Sequence, residues 1–220
     1  MRTKTSVAGA LGLVLLGAVV SAVTYPDLPA QMVTSFDETG TVQDTMGKSV
    51  ALVLFPAIGA LSLGLFLLIP RIDPLQENIE TFREQYDAFI VLIVGVTQYV
   101  HVLVVYWNLG TRFSLSAAVA PAIGAIVYYA GYLFEHAERN WFVGIRTPWT
   151  LSNERVWRRT HDRGAALFKI AGGLAVLGVV AGGFAIWFVV APVAGAALYL
   201  TAYSYLEYRR LDEPGDVEFP

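Results

Sequence analysis

Long apolar runs alternate with short polar connections along this chain, and the runs have the length of a bilayer crossing. Val7 to Val23, Val50 to Ile69, Ala88 to Trp107 and Leu115 to Phe134 each approach the ~20 residues that a spanning helix needs. Ala165 to Tyr208 is about twice that length, so it must turn back once. Gly182-Gly183 is preferred over Ala191-Pro192 for that turn, because it gives more even helices. The pattern predicts an all-α integral membrane protein, a six-transmembrane helical bundle with both termini cytoplasmic.

The connections refine this. Arg2 and Lys4 precede the first run, and Val20-Ser21-Ala22 resembles a signal-peptide cleavage site; the later spans favour a retained helix. Gly9, Gly12 and Gly17 in the first run, and Ala60 with Gly64 in the second, are small residues suited to close helix contact. Pro26 and Pro29 end the first helix. The connection Tyr25 to Lys48 is acidic through Asp37, Glu38 and Asp44, with a turn at Gly40. Asp73-Pro74-Leu75-Gln76 predicts a helix start, with Asp73 as N-cap and Pro74 first in the helix, running on into the third span. The chain divides into an N-terminal module 1–84, a C-terminal four-helix module 85–210 with a polar loop at 135–163, and an acidic tail 211–220 expected to be disordered.

Charge sets the orientation. With both termini inside, the loop arginines from Arg71 to Arg210 fall on the cytoplasmic side, and Lys48 and Arg112 are the only bases in outer loops. The expected location is therefore the cell membrane, multi-pass, with Tyr25–Lys48 outside and Asn140–His161 inside. Composition agrees: 55% of residues are hydrophobic and 15% charged, against roughly 25% charged in soluble domains. There is no cysteine, which excludes disulfides, thiolate metal sites and thiol nucleophiles. A net charge of -3 gives no basis for direct nucleic-acid binding.

Chemistry-bearing residues are few. Gln98 and His101 lie three apart on one face of the third span, and polar groups at membrane depth are functional candidates. The plainer alternative is that they hydrogen-bond neighbouring helices. His101, His136 and His161 are the only histidines, and no two share a metal-ligand spacing; Glu135-His136 meeting His161 is the one arrangement a zinc site could use. There is no G-x-S-x-G, P-loop or G-x-G-x-x-G, so neither a cofactor nor an enzyme is expected.

The most specific stretch is Asn140 to His161, NWFVGIRTPWTLSNERVWRRTH. Pro148 biases Thr147 away from helix. Thr150 or Ser152 can N-cap the helix that follows, with Glu154 in its first turn. Trp157 follows Asn153 by four and His161 follows Trp157 by four, while Arg155, Arg158 and Arg159 point elsewhere. Tryptophan among arginines suits a helix lying in the headgroup region. Asn140, Gly144, Pro148 and Asn153 are more than a basic anchor requires, which favours a docking surface for a cytoplasmic partner.

This stretch resembles the membrane immunity-protein family typified by SdpI, which carries a run much like N-x-F-x-G-I-R-T-P-W-T-L-S-N-E-x-V-W-x-x-T-H. The match includes Asn140, Phe142, Gly144, Arg146, Thr147, Pro148, Trp149, Asn153, Glu154, Trp157 and His161. Leu28-Pro29, Ser35-Phe36, Gly40 and Lys48 resemble its outer loop, and Ile72-Asp73-Pro74 with Glu77-Asn78 resembles its first cytoplasmic motif. Ser35 stands where the family often has His, and the aromatic before the closing lysine is missing. The resemblance implies resistance to a secreted, membrane-active toxin peptide met on the outer side. It also implies a cytoplasmic repressor protein held by the loop residues named above. The alternatives are a small membrane transporter or lipid-handling protein using Gln98 and His101, and a membrane enzyme using Arg146, Glu154 and His161.

Overall fold

The computed structural model describes residues 3–36 and 42–212. Among them six helices are long and apolar enough to cross a membrane. α1 is Thr3–Thr24, α2 Lys48–Ile72, α4 Arg83–Asn108, α5 Leu115–Phe134, α7 Glu154–Leu174 and α8 Trp187–Asp212, with short α3 (Gln76–Thr81) and α6 (Pro148–Ser152) between them. The chain is a multi-pass membrane protein. α1 and α2 pack on α4; α5 and α8 pack on α7; the α4–α5 contact joins the two groups. α5 and α7 approach to backbone contact at Gly124 and Gly172, where a Cβ on Gly124 would lie 2.7 Å from the Gly172 carbonyl oxygen.

The reversal between the last two spans falls at Gly182, as expected. α7 tightens into a 3-10 segment at Ala175–Val180, Gly182 takes φ +57°, and Pro192 lies inside α8. At that left-handed φ any side chain would be strained. Of the small residues singled out in the first two spans, Gly17 is crowded, by Gln98; Gly9, Gly12 and Gly64 face open space, and Gly59 does the corresponding work in α2.

Two departures from expectation matter for the site. The first connection is not irregular: β1 (Gln31–Phe36) and β2 (Val42–Gly47) pair antiparallel, Gln31 opposite Gly47. Met32 buries its side chain against Leu52, Val104 and Val105, which holds the hairpin on the ends of α2 and α4. The Asn108 side chain completes the strand, accepting from the Val33 N–H at 2.8 Å and donating to the Val33 carbonyl at 2.9 Å. The expected turn at Gly40, with Asp37 and Glu38, lies outside the described residues, as does the tail beyond Asp212.

The second departure is at Asp73. The helix begins at Gln76 rather than Pro74, and it stops at Thr81 instead of running into the third span. Phe82 breaks it, at φ -115° and ψ 26°, and turns its ring into a core shared with Ile79, Tyr86 and Trp157. Burying an aromatic of this size outweighs the one or two helical bonds given up there.

Candidate functional site

The Asn140–His161 stretch folds into a compact plug against one end of the bundle. Asn140 is fully buried and uses its whole amide: Oδ1 accepts from the Phe142 and Val143 N–H groups, and Nδ2 donates to the Glu138 and Val143 carbonyls. Four residues on, Gly144 takes φ +114°. Only glycine fits, because a Cβ there would collide with His161 Nε2 and the backbone is left-handed.

His161 closes the loop. Its Nε2 accepts from the Ile145 N–H at 3.0 Å and its Nδ1 faces the Trp157 carbonyl at 2.9 Å, so the neutral Nδ1–H tautomer satisfies both. Its ring stacks on Trp157 at 3.9 Å between centroids and meets Phe134 edge-on. Trp157 in turn donates its indole N–H to the Ala137 carbonyl at 2.8 Å. The helical spacing that brings Trp157 and His161 to one face therefore serves the plug's interior, and the headgroup-facing role expected for this face is not theirs.

Capping also differs from expectation. Thr147 caps the short helix α6, in a reciprocal box with Thr150. Asn153, not Thr150 or Ser152, caps α7, accepting from the Arg155 and Val156 N–H groups, with Glu154 in the first turn as expected. Thr150 is fully buried and also donates to the Ile145 carbonyl at 2.8 Å. Thr147 reaches Ser204 on α8 at 3.0 Å, tying the plug to the last helix.

Side chains of the first motif and of α8 also fasten the plug and its flank, and none of these contacts was anticipated. Asp73 accepts from the Trp141 N–H at 2.9 Å and from the Leu75 N–H at 2.7 Å. Asn78 donates to the Arg139 carbonyl at 2.6 Å. Glu207, nearly buried on α8, pairs with Arg159 at 2.7 Å. Asp73 and Asn78 belong to the first motif and Asn140–His161 to the second; their joint resemblance to one family was the available signal that they meet. Glu207 had none.

Of the expected partner-binding residues, Asn140, Thr147, Trp157 and His161 are thus buried. Phe142, Arg146, Pro148 and Glu154 are exposed, and Trp149 and Asn153 are half-buried. Arg146 donates to the Trp141 carbonyl at 2.9 Å, and Glu154 pairs with Arg139. A shallow groove of about 370 Å3 runs beside them, lined by Arg139, Ser152, Asn153, Glu154, Arg155 and Leu211. Glu135 pairs with Lys169 and His136 bonds to the Tyr132 carbonyl, so neither turns toward His161. Among the described residues no three His, Asp or Glu gather as a metal site would need.

The second candidate, Gln98 with His101, is buried between α1, α2 and α4. Gln98 wedges between Gly17 and Gly59 and donates to the Phe55 carbonyl at 3.3 Å. His101 Nε2 meets Ser21 Oγ at 2.9 Å, a serine–histidine contact not evident in the sequence. Ser21 also bonds the Leu52 and Gly17 carbonyls. Gln98 Oε1 and His101 Nδ1 have no hydrogen-bond partner among the described residues. Ser21 opens on its other side to an apolar groove of about 640 Å3 between α1 and α2, reaching from Val14 and Pro56 to Tyr25 near the hairpin.

Comparison with known proteins bears on this geometry. Residues 136–204, which contain the whole plug, α7 and most of α8, match the SdpI/YfhL protein family. Residues 12–60 match a domain of unknown function, DUF1648. Over 106 residues the chain is 28% identical to "Immunity protein SdpI" of Bacillus subtilis (strain 168), a match covering 48% of this chain and 51% of that protein. The chain thus spans about half the length of the curated relative it matches. No solved structure matches it. The resemblance carried by the plug's motif is upheld by both findings: residues 136–204 match the SdpI/YfhL family model, and the similar protein is itself an immunity protein of that name.

Proposed function

We propose that the chain is a non-enzymatic immunity protein, protecting its cell against a secreted, membrane-active toxin peptide. The observation that carries this is the match to an immunity protein. The charge distribution supports an orientation with the plug and both termini in the cytoplasm: Lys48 and Arg112 are the bases at the hairpin end, whereas arginines crowd the plug. The hairpin then faces outward. The apolar α1–α2 groove beneath it suits a hydrophobic peptide segment entering from the outer leaflet, with Ser21 as its polar contact. On the inner side, exposed Phe142, Arg146, Pro148 and Glu154 and the adjacent groove offer a docking face for a cytoplasmic repressor protein.

The test is a deletion strain challenged with a panel of secreted peptides and complemented with wild type or Arg146→Ala. Deletion should raise sensitivity to at least one peptide, and unchanged sensitivity throughout sinks the proposal. Arg146→Ala should accumulate in the membrane at wild-type level, since exposed substitutions cost within about 0.5 kcal/mol. It should lose repressor capture by membranes while peptide resistance persists.

A further inference from the structure

α8 delivers an acidic segment to the edge of the plug. Leu211, in its last turn, helps line the groove of about 370 Å3 beside the plug, with Arg139, Ser152, Asn153, Glu154 and Arg155 as the other walls. Residues 212–220, DEPGDVEFP, carry four carboxylates and no base. Pro214-Gly215 is a turn dipeptide, which suits a reversal of the chain directly after the helix. Residues 213–220 span about 26 Å when extended, and the groove begins at Leu211, so reach is not limiting.

The groove is cationic by one charge: Arg139 and Arg155 stand against Glu154. Glu154 meets Arg139 Nε at 3.3 Å without a hydrogen bond, and that nitrogen has no hydrogen-bond partner among the described residues. Arg155 is exposed, and among the described residues it has no ion-pair partner. Arginine and carboxylate form strong, geometrically matched hydrogen bonds, although exposed pairs stabilise little when the two groups must first find each other. A short tether changes that balance. Groups held a few residues apart meet at an effective concentration on the order of mM, so a contact too weak to form between separate molecules is populated.

We propose that residues 213–220 fold back into this groove and set their carboxylates on Arg155 and Arg139, so that the chain covers part of its own plug. Docking of this segment is independent of the immunity reading. Its consequence, competition with a cytoplasmic partner for the face beside Arg146 and Glu154, rests on that reading.

The absence of cysteine lets two spin labels be placed without background. One goes on Trp141→Cys, exposed on the plug, and the other on Val217→Cys; neither alters a charge. Double electron–electron resonance on the purified full chain in detergent should give one narrow distance. Arg155→Gln, at an exposed position, should abolish the narrow peak. The combined Glu213→Gln, Asp216→Asn and Glu218→Gln variant, which changes none of the described residues, should abolish it too. A broad distribution in the chain with its charges intact overturns the proposal and leaves the groove open to a separate partner. A narrow peak that survives either set of substitutions overturns it as well. So does a narrow peak lost on dilution with excess unlabelled chain, which would assign the groove to the acidic segment of a second copy.

Discussion

His101 and His161 are both almost entirely buried, at 1% and 2% exposure, yet the protein treats them differently. His161 has both ring nitrogens bonded to backbone, a tryptophan on one face and a phenylalanine at its edge. His101 has one nitrogen on Ser21, and its Nδ1 has no partner among the described residues. A fully satisfied buried polar group specifies a structure, whereas a half-satisfied one is tolerated for something else or remains as a small cost. By this contrast His161 is part of the architecture of the plug. His101, beside Gln98, contacts Ser21, which lines the α1–α2 groove.

The contrast can be broken most directly at His161. His161→Ala strips the Ile145 N–H of its acceptor and leaves a cavity between Trp157 and Phe134, so it should cost about 3–5 kcal/mol. Thermal unfolding of the detergent-solubilised protein, followed by tryptophan fluorescence, reads this as the largest fall in midpoint of the set. Gly144→Ala comes next: it forces a side chain onto a left-handed backbone and into His161, for a loss of about 1–3 kcal/mol by the same measurement. A neutral Gly144→Ala would mean that the loop yields easily and that His161 is less firmly held than its bonds imply.

His101→Leu should have the smallest effect, within about 1 kcal/mol. Ser21 keeps its bonds to the Leu52 and Gly17 carbonyls, and an unpaired nitrogen is removed. If its midpoint falls as far as that of His161→Ala, the two histidines are equivalent and the distinction is gone. If stability holds while peptide resistance is lost in the deletion strain, the distinction becomes one of function.

Much of the fold was legible because membrane spanning is written locally. Twenty apolar residues in a row name a helix whatever surrounds them, and Gly182 marks the reversal because it divides the last long run into two helices of similar length. The break at Phe82 was not legible, since the residues that reward it, Ile79 aside, lie on other elements, Trp157 among them. The hairpin was missed for a similar reason. Its strands are short, and the residues that receive Met32 are in α2 and α4.

The sequence by itself determined that six segments span, and that an unusual motif sits at one end between the fourth span and the fifth. Only the tertiary structure decided which way that motif faces. Spacing by four puts Asn153, Trp157 and His161 on one helical face, but lipid headgroups and a protein interior accept tryptophan equally well. The choice rests on acceptors and donors brought from elsewhere: the Ala137 carbonyl for Trp157, the Ile145 N–H for His161, and the Asp73 carboxylate for Trp141. A buried polar group is stable only where its partners are already in position, and those partners lie on loops and helices whose meeting no local pattern encodes.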